Sequence, residues 1–194
     1  MEILSELTGR RARRAIAPDP IPEECVARIL EAATLAPSCF NNQPWRMVAV
    51  QGETLVDLRA ALSENNAYAR RAPLIMVMAT KPSLDCRLEG GRDYAQFDLG
   101  MAAMGLMLQA TREGLIAHPI AGYSPAKAAK AVGLPEDFVV VTLIIVGSPG
   151  DDALLNDRQK ESERSPRQRK PLGEVAFRDR YGEPFASISQ RDPA

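Results

Sequence analysis

The chain has 194 residues, 45% hydrophobic and 25% charged, with 24 Lys and Arg against 25 Asp and Glu for a formal net charge of -1. This is the composition of a soluble globular domain, and it lacks the basic excess of a general nucleic-acid binder. The single histidine, His118, excludes any metal site needing two histidines from one chain, and no metal centre is expected.

In chain order, residues 2–9 read as a short helix leading into Arg10, Arg11, Arg13 and Arg14. These arginines follow the weakly apolar start instead of preceding it, the reverse of a secretory signal. Pro18, Pro20 and Pro22 make 16–23 an extended connector. Val26, Ile29, Leu30 and Ala33 recur at helical spacing over 23–35, and Pro37 stops that helix. A strand is expected over 46–51, an amphipathic helix over 53–63 and a buried strand over 73–80. After a connection through Gly90 and Gly91, the longest helix runs over about 92–113, with Gly114 just past its end. Its stripe of Phe97, Met101, Met104 and Leu108, widened by Leu99, Leu106 and Met107, marks a helix deep in a core or at a subunit interface. A short strand or loop over 116–122 and a helix over 125–132 precede the run FVVVTLIIVG at 138–147, a central strand buried on both faces. That run is too short to span a bilayer as a helix, which takes about 20 residues. Residues 150–170 are polar. The polar segment 171–194 retains Leu172, Val175, Phe177, Tyr181 and Phe185 at intervals, as a tail that docks on its own or a partner subunit would. Helices and strands mix without regular βαβ alternation, so the expected class is α+β.

The sequence has no G-x-G-x-x-G turn, no P-loop and no G-x-S-x-G elbow. What it has is two cationic clusters, 10–14 and Arg164, Arg167, Arg169 and Lys170. Each reads either as a solvated face or as an anion site, for which arginine offers bidentate hydrogen bonds matched to phosphate. The stretch Ala36-Pro37-Ser38-Cys39-Phe40-Asn41-Asn42-Gln43-Pro44-Trp45 sets small polar side chains between two prolines, ahead of the only tryptophan. It suits a polyol or the edge of a heterocycle; equally, it suits a capped turn with Trp45 as core anchor. Three widely spaced cysteines, Cys25, Cys39 and Cys86, read as reduced thiols of a cytoplasmic protein. Cys39 itself is either a small buried side chain or an oxidant-sensing thiol.

At 36–45 the chain resembles the nitroreductase family of FMN-dependent oxidoreductases, whose A-P-S-x-x-N-x-Q-P-W loop it matches at Ala36, Pro37, Ser38, Asn41, Gln43, Pro44 and Trp45. Arg10 to Arg14 resembles the family's R-R-S-x-R, with Ala12 in place of Ser. Asn66 stands six residues before Ala72-Pro73, as the family's flavin-contacting Asn does. Leu108-Gln109-Ala110 to Gly114-Leu115, Pro119 to Tyr123 and Arg167 to Leu172 resemble L-x-A-x-x-x-G-L, P-x-x-G-[FY] and [KR]-x-R-x-P-L.

The resemblance implies a mostly antiparallel sheet flanked by helices, one FMN-binding domain over 1–170, and an extension over 171–194 docking on the partner of a homodimer. Arg10, Arg11, Arg167 and Arg169 would hold the FMN phosphate, where Ala12 removes one hydroxyl. Arg14 would face the ring's N1–C2=O edge, stabilising negative charge that develops on reduction. Pro37, Ser38, Cys39 and Asn41 would come from the other subunit, Asn66 would bond the pyrimidine edge, and the backbone N–H groups of Ala121 and Gly122 would meet N5 and O4. The expected activity is NAD(P)H-dependent ping-pong reduction of electron-poor acceptors such as nitroaromatics, quinones or enones, in the cytoplasm, with no nucleic-acid or membrane partner. The rivals are a flavin-destroying or dehalogenating relative on the same scaffold, a non-catalytic FMN-binding protein, and a nucleic-acid binder using the arginines. His118 stands beside the 119–123 loop, either as a proton donor to the acceptor or as a hydrogen-bonded structural side chain.

Overall fold

A computed structural model describes residues 3–86 and 88–185 of the chain. They fall into two compact units, one ending at Glu163 and one starting at Arg164.

The first unit is built on a four-stranded antiparallel sheet of order β1-β2-β4-β3. Its strands are β1 (Arg46–Val50), β2 (Leu74–Thr80), β3 (Ile116–Ile120) and β4 (Val139–Gly147). All seven β2 residues are buried, and β4 lies beside it in the middle of the sheet. Their continuous apolar runs have helices to cover on both sides, as predicted. The period of two along β2 sends Leu74, Met76 and Met78 to one face with α2 (Glu23–Thr34) and α4 (Tyr94–Arg112). It sends Ile75 and Val77 to the other face, with α3 (Thr54–Arg59) and α5 (Pro125–Ala131). The segment 116–120 is a strand, and Pro119, which has no N–H for a ladder, is tolerated because β3 is an edge.

Local chemistry sets the helix ends. The Asp93 side chain accepts from the Gln96 N–H at 3.4 Å to start α4 two residues later than the periodicity suggests. Gly114, at φ 76°, ends it, with Leu115 N–H donating to the Ala110 carbonyl at 2.8 Å. Ser124 caps α5 and Pro125 occupies its first turn. Arg28 on α2 donates both Nε and Nη2 to Glu113, at 2.7 and 2.8 Å, fastening α2 to the end of α4.

Of the predicted apolar set on α4, Leu99 and Leu106 lie on the core face and Met107 packs against the core. Ala95, Leu99, Ala102, Leu106 and Ala110 are buried, whereas Phe97 is 55% exposed and Met101, Met104 and Leu108 are only half-buried. Ala95, Ala102 and Ala110 beside Leu99 and Leu106 let α4 lie close to the sheet and α2, and Phe97, Met101, Met104 and Leu108 lie on its more exposed side. Within the polar stretch that follows β4, α6 (Asp157–Arg164) forms. A short α1 (Ser5–Gly9) precedes the first arginines.

The second unit holds α7 (Leu172–Val175) and a turn in which Phe177 pairs with Pro184. Arg178 N–H donates to the Glu183 carbonyl at 2.8 Å, and the Phe177 and Tyr181 rings stand 4.7 Å apart. Of the expected extension over 171–194, residues 186–194 lie outside the described residues, as does residue 2 of the expected first helix. Among the described residues, no helix is long and apolar enough to cross a membrane.

Candidate functional site

The chain leaves β3 into a turn at Ala121 and Gly122 that is fixed from the side by the segment 63–66. Ser63 N–H and Asn66 Nδ2 both donate to the Gly122 carbonyl, each at 3.0 Å. Tyr123 N–H bonds the Ala121 carbonyl at 3.1 Å. The bonds that hold this turn use the two carbonyls, not the N–H groups of Ala121 and Gly122. A Cβ on residue 122 would stand 2.5 Å from Asn66 Nδ2 and 2.7 Å from Ser63 Oγ, so only glycine lets Asn66 sit here. Asn66 breaks the 3-10 geometry of 64–71 with φ -110° and ψ 22°, which turns its amide toward the loop.

Arg14 joins this group through two rings. Its guanidinium lies 5.7 Å from the centre of the Tyr68 ring, and Tyr68 stacks on His118 with centroids 5.8 Å apart. His118 is 7% exposed, and its Nδ1 lies 2.9 Å from the Arg13 carbonyl. A carbonyl only accepts, so Nδ1 carries the hydrogen. Burial, helped by the charges of Arg14 and Arg10 against that hydrogen bond, lowers the His118 pKa to about 4. The ring is therefore neutral at pH 7. Arg14 N–H donates to Glu163 Oε1 at 2.7 Å and Arg14 Nη1 to Ser162 Oγ at 3.1 Å, tying the arginine segment to α6. Beside these groups lies a polar cleft of about 460 Å³ lined by Arg14, Glu64, Asn65, Asn156, Arg158 and Ser162 among others. Tyr68 and the α6 groups escape sequence reading, because no motif marks them and only packing brings them to Arg14.

The loop at 36–45 is rigid. Phe40, Asn41 and Gln43 all have positive φ, at 47°, 57° and 47°. Such backbone costs about 1–2 kcal/mol per non-glycine residue, so neighbouring groups must hold it. Asp98 Oδ2 accepts the Cys39 N–H at 2.8 Å, Ser38 Oγ accepts the Gln43 N–H at 3.0 Å, and Thr80 Oγ1 donates to the Pro44 carbonyl at 2.8 Å. Trp45 is buried as the anchor, while Pro37, Phe40 and Asn41 are exposed at the tip. The loop is thus a capped turn anchored by Trp45, with Pro37, Phe40 and Asn41 exposed.

The candidate residues form separate groups within one chain. Arg14, Asn66, Ala121 and Gly122 gather around the end of edge strand β3. Pro37, Ser38, Cys39 and Asn41 precede β1, the opposite edge, at the same end of the sheet. Three strand spacings, about 14 Å, separate the two edges. Arg10 caps α1, its N–H donating to the Glu6 carbonyl at 2.9 Å, and Arg11 Nη2 reaches the Ser162 carbonyl at 3.5 Å. Ala12 is exposed. Arg167 and Arg169 belong to the second unit, where Arg169 Nη1 donates to the Gln168 carbonyl at 2.7 Å.

The model of the nitroreductase family matches residues 7–81 and 64–148 of the chain. A 15.4 kDa protein of Mycolicibacterium smegmatis, described as uncharacterized, is 33% identical over 133 residues, 69% of this chain and 88% of that one. An NADH dehydrogenase of Thermus thermophilus is 27% identical over 179 residues, 77% of this chain and 87% of that one. A crystal structure described as an oxidoreductase containing FMN superposes with a TM-score of 0.83 at 28% identity, covering 94% of each chain.

Proposed function

The chain belongs to the nitroreductase family and is an FMN-dependent oxidoreductase, and we propose that it uses NAD(P)H to reduce electron-poor acceptors, nitroaromatics, quinones or enones, by a ping-pong mechanism. The observation that carries this reading is the group at the end of β3: a glycine turn packed against Asn66, whose amide bonds the Gly122 carbonyl, with the Arg14 cation nearby over Tyr68.

The donor set fits the cofactor. An amide, two backbone N–H groups and a guanidinium match the alternating acceptors and donors along a flavin edge, and arginines suit its phosphate. When bound, FMN supplies the hydride chemistry, and the protein supplies position and electrostatics. Asn66 would bond the pyrimidine edge, and the N–H groups of Ala121 and Gly122 would orient the reactive edge. Arg14 would face the side where negative charge develops, held in place by Glu163, Ser162 and the Tyr68 ring. Arg10, Arg11, Arg167 and Arg169 would hold the phosphate, with Ala12 offering no hydroxyl to it. His118, neutral and turned onto the Arg13 carbonyl, serves in this reading as a clamp that orients the arginine segment through Tyr68, not as the proton donor.

The placement of the 37–41 loop supports a homodimer. Within one chain the loop stands three strand spacings from the group at β3, and a partner's loop would complete the site at each β3 edge. The exposed Phe97 and the half-buried methionines of α4 provide an apolar face for that partner. The tail from 171, with exposed Leu172, Val175 and Tyr181, would dock on the partner as well. Reduced thiols and a nicotinamide donor suit the cytoplasm.

The test is the visible spectrum of the purified protein, supplemented with FMN, before and after anaerobic NADH or NADPH. Flavin absorbance that bleaches with either donor and returns with a quinone is the expected result. A protein that takes up no FMN would end this reading, and bound flavin that neither nicotinamide reduces would leave a binding protein. Arg10→Ala and Arg169→Ala should each weaken FMN binding; unchanged affinity in both would exclude the shared phosphate.

A further inference from the structure

We propose that Cys39 and Cys86 are a redox modification site, forming a reversible disulfide that fastens the loop before β1 to the segment after β2. The effect on cofactor binding rests on the flavin reading above; the cross-link itself does not.

Cys39 and Cys86 are 47 positions apart, yet their Sγ atoms stand 2.6 Å from each other. The approach is held by groups other than the thiols. Asp98 Oδ2 accepts the Cys39 N–H at 2.8 Å, and Asp85 Oδ1 accepts the Cys86 N–H at 2.7 Å. Asn42 bridges the two segments, its Nδ2 donating to Asp85 Oδ1 at 3.1 Å and reaching Cys86 Sγ at 3.5 Å. Asp98 is wholly buried, and burial together with the neighbouring Asp85 raises its pKa against the Cys39 N–H bond. Backbone bonds on both sides and a bridging amide make the pairing a property of the fold, not of two flexible side chains.

Both thiols are partly exposed, and Cys86 also lines a shallow pocket of about 230 Å³ with Pro82, Leu88, Gly91 and Tyr94. A small oxidant therefore has a path. The third cysteine differs: Cys25 is 7% exposed and faces Glu113, not another thiol. A metal is the other chemistry for this group, since Cys39, Asp85 and Cys86 offer ligand atoms within 4.8 Å of one another. Two thiolates on one tetrahedral zinc, with Zn–S bonds of about 2.3 Å, stand roughly 3.7 Å apart. The thiols here are closer than that, and the arrangement favours bonding to each other.

The oxidant is hydrogen peroxide. One thiol sulfur attacks the peroxide O–O bond, giving a sulfenic acid and one water. The second thiol displaces the sulfenic hydroxyl as a second water, and the S–S bond forms. Two thiols lose two electrons and two hydrogens, and one peroxide becomes two waters. A thiol reductant reverses it. Closure joins a loop whose tip has three non-glycine residues at positive φ to the segment after β2. The tip residues Phe40 and Asn41 are thereby kept in the presented conformation.

The full-length protein, fully reduced and then treated with hydrogen peroxide, should fall from three titratable thiols to one and lose two hydrogens in mass. A non-reducing digest should yield a peptide joining Cys39 to Cys86. Amide exchange at Cys39 and Gln43 should slow several-fold on oxidation and recover with dithiothreitol. Cys86→Ser should give neither the joined peptide nor the slowing. Sulfinic acid at Cys39 without the joined peptide would overturn the proposal. So would one zinc per chain in the purified protein that protects both thiols, or a joined peptide with unchanged amide exchange. A protein that forms the cross-link but takes up no FMN would support the site and refute the flavin reading alone.

Discussion

His118 shows how one side chain acquires a role its type does not specify. In the native chain it stays neutral down to about pH 4, against an ordinary value of 6.5. Between those values the unfolded chain binds a proton that the native chain does not, so stability rises with pH across this window and falls on acidification. The contribution is at most about 3 kcal/mol. Urea unfolding from pH 4.5 to pH 7 should show the slope, and His118→Gln should flatten it. Glu113, which the Arg28 and Gln109 hydrogen bonds hold near a pKa of about 2, acts in the same direction at lower pH, below the ordinary glutamate value of 4.5. The slope left in the His118 variant should therefore lie below that value. Gly122 is the second residue whose meaning is steric. Gly122→Ala drives a methyl into Asn66 and Ser63, and FMN affinity should fall roughly tenfold, about 1.4 kcal/mol, in a fluorescence titration. The Tm should move little by comparison, because the loop is at an edge.

At the scale of elements, α4 and the loop before β1 depend on each other. The helix starts where Asp93 caps it, and its first turns carry Asp98 to the Cys39 N–H. Asp93→Ala should cost about 1 kcal/mol in urea unfolding. The same variant should speed amide exchange at Cys39 if the first turn frays. The existence of α2, α4, α5, β2 and β4 was legible from spacing, prolines and caps, because those signals act within a few residues. The start of α4 was misjudged by two residues, since Arg92 continues the polar pattern while the cap lies at Asp93. The division of the apolar set on α4 between a buried and an exposed side was not legible. Periodicity marks a hydrophobic stripe at Phe97, Met101, Met104 and Leu108 but not what it faces. The side with Leu99 and Leu106 packs inward because the alanines between and beside them allow close approach to β2 and α2.

For the whole molecule, the sheet order places the two halves of the candidate site on opposite edges. In the proposed homodimer a partner's loop would complete the site, and the outward stripe of α4 would join the two copies. Phe97→Glu combined with Met104→Glu should shift the protein to monomer by light scattering and abolish flavin retention, while circular dichroism stays native. A flavin-loaded monomer would show instead that the loop at 37–41 is not needed in trans.

The sequence by itself determined the α+β class, the helix stops at Pro37 and Gly114, the arginine clusters and the family. All of these reside in local patterns of side-chain size, charge and backbone preference. Only the tertiary structure decided that β3 and β1 are the edges, that Tyr68 and α6 attend Arg14, that His118 is neutral, and that Cys39 meets Cys86. Each of those depends on strand pairing and burial between segments far apart in the chain, where no local spacing carries the information.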